Sequence, residues 1–219
     1  MGAPSSVGGF RGSARGLERA RTIEPVFAPR GSAARVILGI DPGLSRCGYG
    51  AVAIDGPKLT AHCAGVIRTD PGLALPERLV AVADELDALI AELRPAAVAV
   101  ERVLFQANVT TAMGVGQASG LALVAAARAG VPVVMYSPNE VKLAVTGDGR
   151  ADKAQIQQMV MRVLGLREVP RPPDAADALA IAITHASSGA VKSAARTDAP
   201  SGGKSKLDAA IAAALEKHG

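Results

Sequence analysis

Val36-Ile37-Leu38-Gly39-Ile40, closed by Asp41-Pro42-Gly43, is a short apolar run ending in turn residues. That pattern predicts a buried strand over 36–40 that stops at a carboxylate. Working outward, residues 47–54 and 58–67 predict two more strands, joined by a hairpin turn at Asp55-Gly56. From 76 to 93, Leu79, Val82, Leu86, Leu89, Ile90 and Leu93 recur at helical spacing, and Pro95 stops the helix. Residues 97–100 predict a further buried strand, ending at Glu101. An Ala- and Gly-rich helix over 110–129, a strand over 131–136 and a short helix over 139–145 follow. Helices over 151–164 and from 173 to about 186 complete the core. Strands interleaved with helices in this order predict an α/β layered fold.

Length and composition set the outer limits. The 219 residues are enough for one ordinary domain with chain to spare. Aromatic content is 2% but apolar content 49%, so the core must be built from Ala, Val, Leu and Ile. Cys47 and Cys63 cannot make a disulfide scaffold and match no zinc spacing. No apolar run is long enough for a membrane span and no secretory signal is visible, so a soluble, cytoplasmic protein is expected.

Charge is unevenly placed. Residues 1–35 hold six Arg against Glu18 and Glu24, which accounts for the whole net charge of +4. Residues 1–35 are therefore expected to be a disordered basic arm, 36–187 the folded domain and 188–219 a flexible tail with a short amphipathic stretch at Leu207, Ile211 and Leu215. The arm is Arg-rich and acid-poor like an organellar transit segment, and Gly2 with Ser6 fits a short myristoylation pattern. An unstructured extension is expected.

Four acids stand in costly places. Asp41 and Glu101 each end a buried strand, and in open α/β sheets the carboxyl ends of strands are where ligands bind. Asp174 and Asp177, in Pro173-Asp174-Ala175-Ala176-Asp177-Ala178-Leu179, share one face of the final helix, which should lie on the sheet. Each has a plain alternative: Asp41 a turn starter, Glu101 a solvent-facing residue, Asp174 an N-cap and Asp177 an acid favoured by the helix dipole. Together they suggest convergence. Two carboxylates about 5 Å apart repel by roughly 3 kcal/mol at an effective dielectric near 20, so four together require cations or raised pKa values. Oxygen ligands with no His or Cys beside them favour Mg²⁺ or Mn²⁺, and two such ions would balance four carboxylates. That arrangement fits metal-dependent phosphodiester hydrolysis with water as nucleophile.

The motifs resemble those of the RuvC family, the bacterial Holliday junction resolvases. They are Ile37-Leu38-Gly39-Ile40-Asp41-Pro42-Gly43, Val100-Glu101-Arg102-Val103, Gly116-Gln117-Ala118-Ser119-Gly120 and the run from Asp174 to His185, in order between about Val36 and His185. The resemblance implies an RNase H-like fold, a mixed five-stranded sheet flanked by helices. It implies a homodimer that resolves four-way junction DNA in recombination and repair by paired symmetric nicks, leaving 5′-phosphate ends. It implies Asp41, Glu101, Asp174 and Asp177 as catalytic metal ligands for two Mg²⁺, with Mn²⁺ substituting. It places Lys142 and Lys153 on the DNA path, and a branch-migration helicase complex as partner. Where the family commonly carries a base-stacking aromatic, this chain has Leu104 followed by Phe105, which either takes over the stacking or belongs to the core.

Gly114, Gly116 and Gly120 in one helix suggest close approach by another backbone, either across the family's dimer interface or within the chain. Three other functions fit parts of the same pattern. A ribonuclease H-like enzyme on RNA or hybrid substrates would use the same acids. An actin-like ATP-binding protein would need a second phosphate loop, for which Asp148-Gly149 is the weak candidate. A non-catalytic junction-binding module would have no need of the acid quartet.

Overall fold

The computed structural model describes residues 20–21, 34–102 and 109–197. The chain divides into two compact units, 1–187 and 188–219. A two-residue strand β1 (Ala20–Arg21) precedes β2 (Arg35–Asp41), β3 (Arg46–Asp55) and β4 (Lys58–Arg68). Helix α1 (Leu75–Leu93), β5 (Ala97–Glu101), α2 (Val109–Arg128) and β6 (Val133–Tyr136) follow, then α3 (Pro138–Thr146), α4 (Lys153–Val163) and α5 (Pro173–Thr197). The sheet order is β1-β4-β3-β2-β5-β6. β2 runs antiparallel to β3 and parallel to β5, and β5 runs parallel to β6. The expected mixed five-stranded sheet is therefore present, and Ala20–Arg21 adds a short antiparallel edge against Gly65 and Val66 of β4.

Alternation along the strands explains the layers. In β2, Ile37 joins the core under α3, α4 and α5, with Val52, Ala99, Val160, Leu179 and Ile183. Its neighbours Leu38 and Ile40 join the opposite core under α1 and α2, with Val98, Val100, Val82, Leu86, Ala122 and Ala126. A strand covered on both faces needs a continuous apolar run, which is what the central strands carry. Gly56 turns the β3–β4 hairpin with φ of 56°, the conformation expected of Asp55-Gly56. Among the described residues, no helix is long and apolar enough to cross a membrane.

One boundary differs. The final helix, expected to end near Ala186, continues to Thr197. The run from Ser187 to Thr197 holds a single Gly and no Pro, so nothing in it terminates a helix.

Candidate active site

Strand register brings the two sheet acids together. Ile40 of β2 pairs with Val100 of the parallel strand β5, so Asp41 and Glu101, one residue on, stand side by side. Because Ile40 and Val100 point into the α1–α2 core, period-two alternation turns Asp41 and Glu101 to the other face. That is the face on which α5 lies. Pro173 opens α5 and Asp174 sits in its first turn rather than capping it. Asp177 follows three residues later on the same face.

The helix can reach the acids because the sheet beneath it is bare. Gly39 pairs with Gly50 and Asp41 with Gly48 across β2 and β3. A Cβ at Gly48 would overlap the Asp174 carbonyl oxygen, and one at Gly39 would overlap the Ala178 carbonyl oxygen. At Gly50 it would stand 2.7 Å from the Leu179 backbone nitrogen. The backbone of α5 therefore rests on the backbone of two strands, and that seating sets Asp174 and Asp177 beside Asp41.

Electrostatics show the convergence. Asp41 is half-buried, and its pKa is pushed up to about 8, by burial first and then by the charges of Glu101, Asp177 and Asp174. Glu101 is raised by burial and by Asp177, against a hydrogen bond from Asp41 and the charge of Lys153. Asp177 is raised by burial, with Lys153 opposing. Burial would raise Asp174 too, but Arg46 outweighs it, with help from a backbone amide and Arg68, and its carboxyl titrates below the usual range. The thiol of Cys47, buried on the other face, is pushed up to about 12 by burial, so it offers no thiolate nucleophile.

Two cations hold the outer acids. Arg46 donates from Nε to Asp174 Oδ2 at 3.1 Å and from Nη2 to the same oxygen. Lys153, the first residue of α4, places Nζ 3.3 Å from Asp177 Oδ2. Among the described residues, no three His, Cys, Asp or Glu side chains stand in ready-made ligating geometry. The charge is met instead by a raised proton affinity at Asp41 and Glu101, one guanidinium and one ammonium. The donors are all hard carboxylate oxygens, and a carboxyl whose proton affinity is raised by burial and by three neighbouring acids accepts a divalent cation in place of the proton. The residues therefore fit Mg²⁺ or Mn²⁺.

A pH dependence follows. Asp41 is raised when folded, so its contribution to stability is complete below about pH 4 and is lost as pH rises through about 8. In chelator, the melting temperature should fall between about pH 4 and 8 and level off above that, and Mn²⁺ should remove that fall. A flat chelator profile over this range would show that the acids do not share a pocket.

Lys142 is half-buried on α3, and among the described residues no ion pair ties it to the acids. Phe105 and Leu104 lie outside the described residues. Gly114 would bring a Cβ only to 3.5 Å from Leu44, and Gly116 and Gly120 would meet nothing within 4 Å. The within-chain explanation for these glycines thus fails among the described residues. The close approach lies at Gly39, Gly48 and Gly50. Sequence reasoning missed those three as site builders, although Gly48-Tyr49-Gly50 leaves one strand face without side chains. It also missed Arg46 and its support. Arg78 donates from Nε to Thr69 Oγ1 at 2.9 Å and from Nη2 to Ser45 Oγ at 2.6 Å. Thr69 Oγ1 donates to the Leu44 carbonyl at 2.7 Å. This brace fixes the loop between Asp41 and Arg46, and no periodicity announces it.

A family model described as crossover junction endodeoxyribonuclease RuvC matches residues 37–185. The crossover junction endodeoxyribonuclease RuvC of Salinispora arenicola is 57% identical over 158 residues, 72% of this chain and 90% of that protein. Its counterpart from a Nocardioides species is 48% identical over 182 residues, 83% of this chain and 96% of that one. The solved structure of T. thermophilus RuvC in complex with Holliday junction substrate matches with a TM-score of 0.69 at 42% identity, covering 72% of this chain and 96% of that one. The yeast mitochondrial Holliday junction resolvase Ydc2 matches with a TM-score of 0.53 at 16% identity, covering 74% and 82%, a likeness of fold alone.

Proposed function

Because this chain belongs to the RuvC family of crossover junction endodeoxyribonucleases, we propose that its four converging acids are the metal ligands with which it cuts four-way DNA junctions. The fold is RNase H-like. The protein is an endodeoxyribonuclease that resolves Holliday junctions, and the ribonuclease, ATP-binding and non-catalytic readings are not favoured. One observation carries the site assignment: Asp41, at the end of the central strand, feels the charge of all three other acids.

Asp41, Glu101, Asp174 and Asp177 would hold Mg²⁺, two ions per site, with Mn²⁺ substituting. The bound ions supply Lewis-acid polarisation of the phosphodiester and activation of water. The protein supplies the rest. Asp41 and Glu101 fix one side of the site on the sheet, and α5 brings the other. Lys153, beside Asp177, adds a compact positive charge for the phosphate. Lys142 and Phe105 extend the DNA path. With Cys47 out of use, water is the nucleophile; membership of the family implies products that carry 5′-phosphates.

Cleavage of a synthetic four-way junction by the full chain should stop in chelator and return with Mg²⁺ or Mn²⁺, while an RNA–DNA hybrid stays intact. Ligase should reseal the nicks without a kinase. Cutting that persists in chelator overturns the metal reading, and nicks that need a kinase overturn the product assignment.

Paired nicks on a two-fold symmetric substrate require two sites related by a two-fold axis, and the described residues of the chain supply one acid cluster. A homodimer is the assembly that meets this need. Met113, Gly116, Gly120 and Val124 recur along α2, with Met113 and Val124 exposed and, among the described residues, nothing within 4 Å of a Cβ at either glycine. Gly120→Arg should sediment as a folded monomer at concentrations where the parent is a dimer, and its paired nicks should become uncoupled. A Gly120→Arg dimer would place the interface elsewhere. The branch-migration helicase complex is a further partner expected of the family.

A further inference from the structure

We propose that Arg46 is an internal counter-cation that holds Asp174 until a divalent ion displaces it, and so sets the metal concentration at which the site loads. The inference rests on the reading of Asp174 as a metal ligand.

Both Nε and Nη2 of Arg46 converge on one oxygen of Asp174, Oδ2. An oxygen that accepts two charge-assisted hydrogen bonds cannot also face a divalent cation without ejecting the guanidinium, because like charges would meet at van der Waals distance. Guanidinium and metal ion are therefore alternatives at this oxygen. The backbone at both ends of the pair is fixed. Arg46 follows the loop braced by Arg78, Thr69 and Ser45, and Asp174 is seated on Gly48. Only the side chains can move.

They can move at small cost. The Arg46 side chain is 43% exposed and that of Asp174 24%, so the freed guanidinium swings into water rather than into the core. An exposed pair of this kind is weak enough to be exchanged and strong enough to register as competition. Lys153 on Asp177 is a lesser competitor, with a single contact at 3.3 Å from a side chain 79% exposed. By linkage, whatever draws the guanidinium away, such as a phosphate of bound DNA, raises the affinity for metal by the same factor that metal raises affinity for that partner.

The test is Mn²⁺ binding to the full chain without DNA, measured by calorimetry, so that the readout is independent of cleavage. Arg46→Gln should bind Mn²⁺ about three- to fivefold more tightly than the parent, the size expected for loss of an exposed competing ion pair. Arg46→Lys, which keeps the charge but loses the paired donors, should fall between them and serves if Arg46→Gln fails to melt cooperatively. Asp174→Asn should bind Mn²⁺ more weakly, and adding Arg46→Gln to it should bring no further tightening. If Asp174→Asn binds Mn²⁺ like the parent, the ligand assignment fails and this proposal with it. If Asp174→Asn is weakened but Arg46→Gln is not tightened, the role of Arg46 alone is overturned. Equal tightening by Arg46→Gln with or without Asp174 also overturns it, since Arg46 would then act by general charge.

Discussion

Asp41→Asn should abolish junction cleavage and leave junction binding intact. The amide keeps the shape of the carboxyl but removes an anionic oxygen from the point where the other three acids converge. Replacing a group that merely supports a metal ligand costs roughly 10- to 100-fold in metal affinity or activity, so loss of a central ligand should exceed about a hundredfold. Binding survives because phosphate contacts come from cations elsewhere, and one fewer negative charge does not weaken them. The comparison is nicking of a labelled four-way junction in Mg²⁺ beside a mobility-shift titration at one salt concentration. Asp174→Asn should behave alike. Asp41→Asn should also melt higher than the parent at pH 8 in chelator, since it removes a carboxyl whose charged form is disfavoured there. Parental cutting rates in Asp41→Asn would remove this residue from the mechanism.

Gly39→Val should cost the fold about 3 kcal/mol or more, because two branches must enter space filled by backbone. The first obstacle is the Ala178 carbonyl, and the Ala182 backbone nitrogen stands 2.8 Å from the new Cβ. Neither can rotate away, since both belong to a helix whose Ala178, Leu179, Ala180, Ile181 and Ala182 are each at most 1% exposed. For a domain of this size the melting temperature should drop by about 10 °C. Equal melting of Gly39→Val and the parent would mean that α5 does not rest on the strands.

Much of this was legible in the residues. Apolar runs bounded by turn residues marked the strands, because burial on both faces leaves no room for polar alternation. Asp41 and Glu101 were legible because a carboxylate at the end of a buried strand is too costly to be casual, and Asp174 and Asp177 because a spacing of three sets both on the helix face that lies on the sheet. What escaped notice depends on pairing across the sheet. That Gly39 faces Gly50, and Asp41 faces Gly48, follows from the β2–β3 register, which a one-dimensional pattern does not contain. The glycines of α2 attracted attention instead, since a helix signals its glycine cost locally while a strand does not. Arg46 was invisible for a related reason. Its partner is 128 residues away, and an arginine at the start of a strand is ordinary until the far chain is in place. The end of α5 is not legible from composition, since a Ser- and Lys-rich stretch suggests a tail although neither residue forbids helix.

The contact between α5 and the glycine ladder works as a gauge block. Where side chains separate two elements, their spacing drifts as the core is repacked. Here peptide groups touch peptide groups, and the distance between the sheet acids and the helix acids is fixed by atomic radii that no substitution elsewhere can alter. Variation in the surrounding core should therefore change how readily the molecule melts while leaving the calibration of its cutting centre untouched.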